Sequence, residues 1–440
     1  MLSDLRDGRA GTALLPGDAG WGENPPIYVP PGDPAVVVRP ETAEQVGAAL
    51  QAAAAEGIGV AVRSGGHGGR LFDNSGTMVI ELAHFDQVEV DGTTVRVGAG
   101  ALWGDVAKAL APHGLGLTSG DTKSVGVGGL TVGGGVGWMV REHGLAIDSL
   151  IGATVVLPSG EVVHASADDD SDLFWALRGG GGNFGVVTTF EFEAHPLDGV
   201  VYGTLTYGVD HTAEVAKGWR DVLRGAPVAF NSTFMAMPGM GPGMEPSVQV
   251  AVFHPGRDTD AVEPLLAQLR ALPGYLSEDV TARDYADALE DAHPFEGPMP
   301  VITGDTAFVD DLTDDAVDVV MGVHGSIAGI LVLRYLRGAF NRVAADAMAW
   351  GHRDGEVMVM VATFLPPGSP REQIDAVHAK WAPAHSLTNG TYGNFSQEIG
   401  DEVVAQMYPP ANLRRLRELK RRYDPQNLLS RNQNIVPAVE

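Results

Sequence analysis

Apolar residues recur along the chain at two periods, and the switches between them outline the elements. Residues 30–38 leave a proline-rich lead as an apolar strand, PPGDPAVVV. Residues 41–56 (ETAEQVGAALQAAAAE) take the 3.6-residue period, with Val46, Leu50 and Ala53 on one face. Thr42 is placed to cap that helix, with Gln45 as the reciprocal half of a capping box. Residues 58–63 (IGVAVR) read as a short strand, so strand–helix–strand predicts a small parallel sheet. Further on come VIEL at 79–82, a hairpin over 88–100 with an Asp-Gly turn, and a helix over 103–114. A second hairpin over 153–165, a helix over 172–179 and a strand over 186–197 complete the first half.

After Leu197 the texture changes. Strands near 200–207, 230–236 and 246–253 alternate with helices near 211–224 and 258–271, which predicts an antiparallel sheet covered by helices. Segments 237–245 (MPGMGPGME) and 293–300 (HPFEGPMP) are candidate pocket rims, with plain surface loop as the alternative. Residues 380–396 are loop-rich, and 413–425 form a basic helix stopped by Pro425, most of whose cations read as a solvated face. The expected division is a lead over 1–29, a first domain over 30–197, a sheet domain over 198–399, and a segment over 400–440 returning to the first domain. The fold class is α+β.

Composition narrows the chemistry. Asp and Glu number 56 against 29 Lys and Arg, a net charge of -27, which argues against a nucleic-acid or anionic-membrane partner. The 440 residues include no cysteine, which excludes disulfides, thiolate nucleophiles and Cys-ligated metals. The 13 histidines show no metal spacing, so no metal is expected. No apolar run is long enough to span a bilayer and no Sec-type start is visible, so a soluble, cytoplasmic protein is expected, its oligomeric state open.

Glycine is the informative residue. Its 58 copies cluster in SGGHGG at 64–69, VGVGGLTVGGGVG at 125–137 and RGGGGNFG at 178–185. Gly180, Gly182 and Gly185 match G-x-G-x-x-G, yet a predicted helix precedes them and a strand follows. A dinucleotide fingerprint needs the reverse order, so it is rejected, and P-loop, HExxH, EF-hand and GxSxG strings are absent. RSGGH at 63–67 remains: amides of Ser64, Gly65 and Gly66 suit a phosphate nest, Arg63 adds a cation, and His67 stands at the edge.

These strings resemble the berberine-bridge-enzyme-like branch of the vanillyl-alcohol-oxidase/PCMH flavoproteins. Seven motifs carry the resemblance in order: RPETAEQVGAAL (39–50), RSGGH (63–67), VGAGALWGDV (97–106), the run at 125–150, DLFWALRGGGGNFGVVTTFEF (172–192), YGNF (392–395) and YDPQNLLSRNQNI (423–435). The resemblance implies a PCMH-type FAD-binding domain of two α/β subdomains, with flavin bonded through a ring nitrogen of His67. It implies cofactor contacts from Arg63, Ser64, Gly65, Gly66, His67 and Gly68. Asp121, Thr122, Val125, Gly126, Gly129, Gly133, Gly134, Val136 and Gly137 would contribute too, as would Val187 toward the adenine end, Asn394 and Asn432. Many relatives add a second bond from a cysteine at the position of Thr122, which this chain cannot form. Gly68 and Phe395 also depart from the usual serine and tyrosine.

Tyr392 and Asn394 match positions facing the flavin from the substrate side. Tyr392 is the first choice for assisting proton removal during hydride transfer, with a packing role as the alternative. His352, Glu356, His254 and His324 are each expected to be structural. The strand after HRDGE, 357–367, should line a greasy pocket floor. The implied reaction is oxidation of a small organic molecule with dioxygen as acceptor; a flavin oxygenase and a non-redox cyclase or lyase are the alternatives.

Overall fold

A computed structural model describes residues 2–23, 26–28, 32–68, 75–239, 245–292, 297–327, 329–396 and 398–439. The centres of both predicted rims, 240–244 and 293–296, lie outside them. Four sheets organise the described residues. The first orders Thr12–Leu14, Val36–Arg39, Met78–Glu81 and Val60–Arg63. Val36–Arg39 and Val60–Arg63 both pair in parallel with Met78–Glu81, so the predicted parallel unit forms with a third strand inserted between its ends. Helix Ala43–Glu56 crosses between them. Thr42 Oγ1 accepts from the Gln45 amide, whereas Gln45 Oε1 takes the amide of Glu41, one residue earlier than a capping box requires.

The second sheet orders Val88–Asp91, Thr94–Gly98, Val186–Glu193, Leu150–Val156 and Val162–Ser166, antiparallel throughout. Helix Ser171–Leu177 precedes the GGGNFG string and strand Val186–Glu193 follows it, the order expected from the sequence. A two-stranded pairing of Leu115–Gly116 with His195–Pro196 ends this half.

The largest sheet has seven antiparallel strands, ordered Tyr275–Arg283, Val200–Tyr207, Ser247–Pro255, Asn231–Met237, Gly329–Tyr335, Val357–Leu365 and Val301–Val309. One face packs under helices: Leu205, Phe234, Val250, Leu333 and Val359 share a core with Trp219, Leu223, Leu269, Val320 and Trp381. The other face meets the glycine-rich run. Trp138 and Met139 pack with Tyr202, Ala251 and Phe253, and Val136 packs with Met358 and Tyr392. The mixed helix-and-sheet class is as expected, and the sheet covered by helices is present.

Helix Pro410–Tyr423 returns to the first half, where Leu416 and Leu419 join the core of Val155, Phe184 and Phe190. Most of its cations do face solvent, with Arg414, Arg421 and Arg422 exposed, but one does not. Lys420 is fully buried and donates to Asp424, Asn183 O and Leu429 O. Arg415 and Arg422 reach Asp172. Among the described residues no helix is long and apolar enough to cross a membrane, and no cluster suits a metal ion.

Candidate active site

The site begins where two glycine turns touch. Strand Val60–Arg63 delivers Ser64–Gly68 to its tip, and the segment after Thr122 runs into the short helix Val127–Val132. A Cβ on Gly65 would overlap the Gly126 amide nitrogen, and one on Gly126 would overlap Ser64 Oγ and the Gly65 nitrogen. Only glycine at both positions allows this approach. Ser64 Oγ donates to Ala99 O at 2.6 Å and ties the first turn to the second sheet. The amides of Ser64, Gly65, Gly66 and His67 find no acceptor among the described residues. Arg63 instead turns to Glu81, which also holds Arg39. The expected phosphate cation is therefore already matched by a carboxylate.

His67 stands at the rim. Its Nε2 lies 2.8 Å from Ser124 Oγ, and its ring meets Tyr28 edge-on at 5.4 Å. Burial lowers its pKa to about 4 against the pull of Asp121, so the ring is neutral near pH 7. Thr122 donates to Asp121 Oδ1 at 3.2 Å and bridges to Glu290. Burial would raise the Asp121 pKa, but the charge and hydrogen bond of Arg334, aided by its own amide and Thr122, bring it below the usual value. Arg334 is 6 % exposed, also donates to Val136 O at 3.4 Å, and leaves its Nε without a partner.

Farther along the run, Gly133 lies against the Asn394 side chain and Gly134 against the Tyr392 ring. Val136 is buried, and Gly137 presses on Ser119 O. The Tyr392 hydroxyl accepts from the Gly135 amide at 2.9 Å and from Asn394 Nδ2 at 3.0 Å. Asn394 Nδ2 also donates to Leu130 O. Tyr392 is 2 % exposed, and burial raises its pKa despite the donors of Gly135, Asn394 and Val136. Burial disfavours the phenolate that a proton acceptor at Tyr392 would need, while the two N–H donors act in the opposite sense. Glu356 lies outside the site altogether. It is fully buried beside Arg224, Tyr335 and the Leu312 amide, toward the helix-covered side. His352 Nε2–H donates to Gln406 O and His324 Nε2–H to Gly329 O, both structural contacts.

A flavin dinucleotide fits these residues. A Cβ at Gly68 or Gly129 would meet nothing within 4 Å, and at Gly182 only Asn432 Nδ2 at 3.8 Å, so the glycine floor is open. Thr131 Oγ1, Asn432 Oδ1 and Asn434 Oδ1 are buried without partners among the described residues, the mark of polar atoms awaiting a ligand. Val187 is buried in strand Val186–Glu193 and Val125 is half-buried beside Ser124.

Comparison with known proteins agrees. Residues 34–166 match the family described as FAD binding domain, and residues 391–436 the family described as Berberine and berberine like. (R)-6-hydroxynicotine oxidase of Paenarthrobacter nicotinovorans is 31% identical over 92% of this chain and 91% of its own length. The chain belongs to the berberine-bridge-enzyme-like family of FAD-linked oxidases. Chitooligosaccharide oxidase of Gibberella zeae, another such oxidase, is 28% identical over 96% of this chain and 91% of its own. Among solved structures, 6-hydroxy-D-nicotine oxidase of Arthrobacter nicotinovorans superposes with TM-score 0.85 at 28% identity, covering 97% of this chain and 98% of that one. The berberine-bridge-like fold also appears in a Physcomitrella patens protein at TM-score 0.88 and 20% identity, over the full length of both chains.

Two site residues escaped the sequence reading. Arg334 carried a usable signal, a lone cation within the apolar strand ILVLRY. Ser124 carried none, because only the fold brings it to His67.

Proposed function

We propose that the protein oxidises a small, mostly apolar amine, with FAD bonded through His67 alone and dioxygen as the final acceptor. Residues 30–197 with the segment from about 400 would hold the cofactor, and 198–399 would supply the substrate side. Amides of Ser64–His67 and the open glycines Gly68, Gly129 and Gly182 would take the dinucleotide, with Asn432 near its far end. Bound flavin supplies a hydride acceptor held in place by the protein.

The observation that carries the substrate class is the sheet face turned toward the glycine run. Register places Met235, Val332 and Met360 in one row, and Thr233, Arg334 and Met358 in the next. The four central strands carry no carboxylate of their own on that face, and the one that reaches it, Asp121, is committed to the ion pair with their one cation, Arg334. An alcohol losing hydride needs its proton removed, which calls for a base. A neutral amine yields an iminium directly and needs none. The relationship to 6-hydroxynicotine oxidase supports an amine, and the lack of cysteine separates the chain from a solved glucooligosaccharide oxidase with a 6-S-cysteinyl, 8α-N1-histidyl FAD.

Anaerobic titration with a panel of amines, alcohols and oligosaccharides tests the substrate class. Bleaching of the flavin absorbance by amines is expected; bleaching by alcohols or sugars alone would reject it. Denatured wild-type protein should stay yellow, while His67→Ala should release its flavin on acid precipitation yet bind FAD before it.

A further inference from the structure

We propose that Ser124 is the positioning residue for flavin attachment: its hydroxyl accepts from His67 Nε2–H and leaves the lone pair of Nδ1 as the nucleophile. The inference rests on the attachment at His67 proposed above. An imidazole has two nitrogens, and a neutral ring has one protonated and one nucleophilic; a neighbour that accepts from one nitrogen leaves the other as the nucleophile. In this fold Nε2 is held, 2.8 Å from Ser124 Oγ. The Tyr28 edge contact limits rotation of the ring from another side. Ser124 is itself fixed by its neighbourhood: its carbonyl borders Gly65, and Val125 O accepts from the Trp103 amide. The serine therefore sits on the same backbone junction that shapes the dinucleotide turns. Burial keeps the ring neutral, which is the reactive form.

The covalent step balances as follows. A bond forms between Nδ1 and the flavin 8α-carbon, one C–H bond of the 8-methyl group breaks, and Nε2–H is lost once Nδ1 is alkylated. The two electrons enter the flavin and pass with the two protons to dioxygen, giving hydrogen peroxide. As Nδ1 gives up its lone pair, positive charge develops on the ring. Its Nε2–H then becomes a stronger donor, and a hydrogen bond to a charged donor is stronger than the neutral one it replaces. Ser124 thus favours both the correct tautomer and the step itself.

The test uses the full chain made flavin-free in a riboflavin-starved host and then given FAD. Attachment is followed by fluorescence of the denatured protein, and binding by quenching on addition of FAD. Ser124→Ala should bind FAD within about threefold of wild type yet attach it about 10-fold or more slowly, the scale on which orienting hydrogen bonds act. Ser124→Thr, which keeps the hydroxyl, should restore the rate. Attachment to His67 at the wild-type rate in Ser124→Ala would overturn the role of Ser124 and leave the attachment intact. A wild-type digest with no flavin on the His67 peptide would overturn the attachment, and this inference with it. A wild-type measurement covers a variant that does not fold: the isolated histidyl flavin should be the Nδ1 isomer, and the Nε2 isomer would refute the proposal.

Discussion

The two walls of the site are built from different materials. On the cofactor side, the turns at Gly65 and Gly126 meet backbone to backbone, with no room for a side chain, and present amides. On the facing sheet, the same role of surrounding a ligand falls to Met235, Val332, Met358, Met360 and the pair Arg334–Asp121. A backbone wall depends on residues having no side chain and tolerates almost no change. A side-chain wall is set by shape and charge, which other residues can supply on the same strands. The first suits a cofactor shared by a family, and the second suits a substrate that differs between members.

Gly126→Ala should break the first wall most severely. The added Cβ overlaps the Gly65 backbone nitrogen, which cannot move aside cheaply, and Ser64 Oγ, which is tied to Ala99 O. A loss of about 3 kcal/mol or more is expected, at the upper end of overpacking costs, together with loss of the yellow chromophore. Gly129→Ala is the matched contrast, because its Cβ meets nothing within 4 Å in a helical position. The flavin-free chain should gain up to about 1 kcal/mol from it. Flavin uptake should nevertheless weaken as the methyl enters the open floor. Thermal unfolding of flavin-free protein and flavin content read the two effects apart. A Gly126→Ala chain that keeps its colour would end the account of a backbone wall.

That difference explains what was legible in the sequence. The turns at 64–68 and 125–137 stand out because a close approach demands glycine, and the helix Ala43–Glu56 because its cap and period agree. The place of the inserted strand Met78–Glu81 is not legible, since three apolar residues and a glutamate say nothing about which edge they join. In the sequence Arg63 adds a cation to the phosphate nest, yet Glu81, eighteen residues on, pairs with it. Pairings over such distances leave no local pattern. The same holds for Ser124 and His67, 57 residues apart.

The second wall is probed by Arg334→Leu. It strands Asp121, and breaking a buried pair by removing one partner costs about 3–5 kcal/mol. Asp121 keeps 30% side-chain exposure, so about 2–3 kcal/mol is expected instead. The Asp121 pKa is lowered in the folded chain, so the pair's contribution is present above the unfolded carboxylate value and is lost as pH falls through the folded one. The gap between wild type and Arg334→Leu should therefore narrow in urea unfolding as pH is brought toward about 3. The double variant Arg334→Leu with Asp121→Leu should recover part of the loss. A gap that stays constant with pH would show that Arg334 acts through packing alone.

The smallest effect sits where the two walls meet. Thr306 on the sheet donates to or accepts from Thr391 at 2.9 Å and takes the Tyr392 amide, and the Tyr392 hydroxyl takes the Gly135 amide of the glycine run. Tyr392→Phe keeps the ring between Gly134 and Phe395 and removes only the acceptor. Two N–H groups then lose a partner, though Asn394 Nδ2 keeps Leu130 O. The Gly135 amide is the group left buried and unsatisfied, a cost of about 1–2 kcal/mol. A base would behave differently: its loss slows chemistry by about 10²–10⁴-fold with little change in stability. Lower stability, with flavin reduction by a substrate amine within about threefold of wild type, is the expected outcome, well under the scale of general acid–base help. The reverse result, an unchanged unfolding midpoint with reduction slowed a hundredfold or more, would restore Tyr392 as the proton acceptor. It would also reopen alcohols as substrates, since the site would then hold the base that hydride transfer from an alcohol requires.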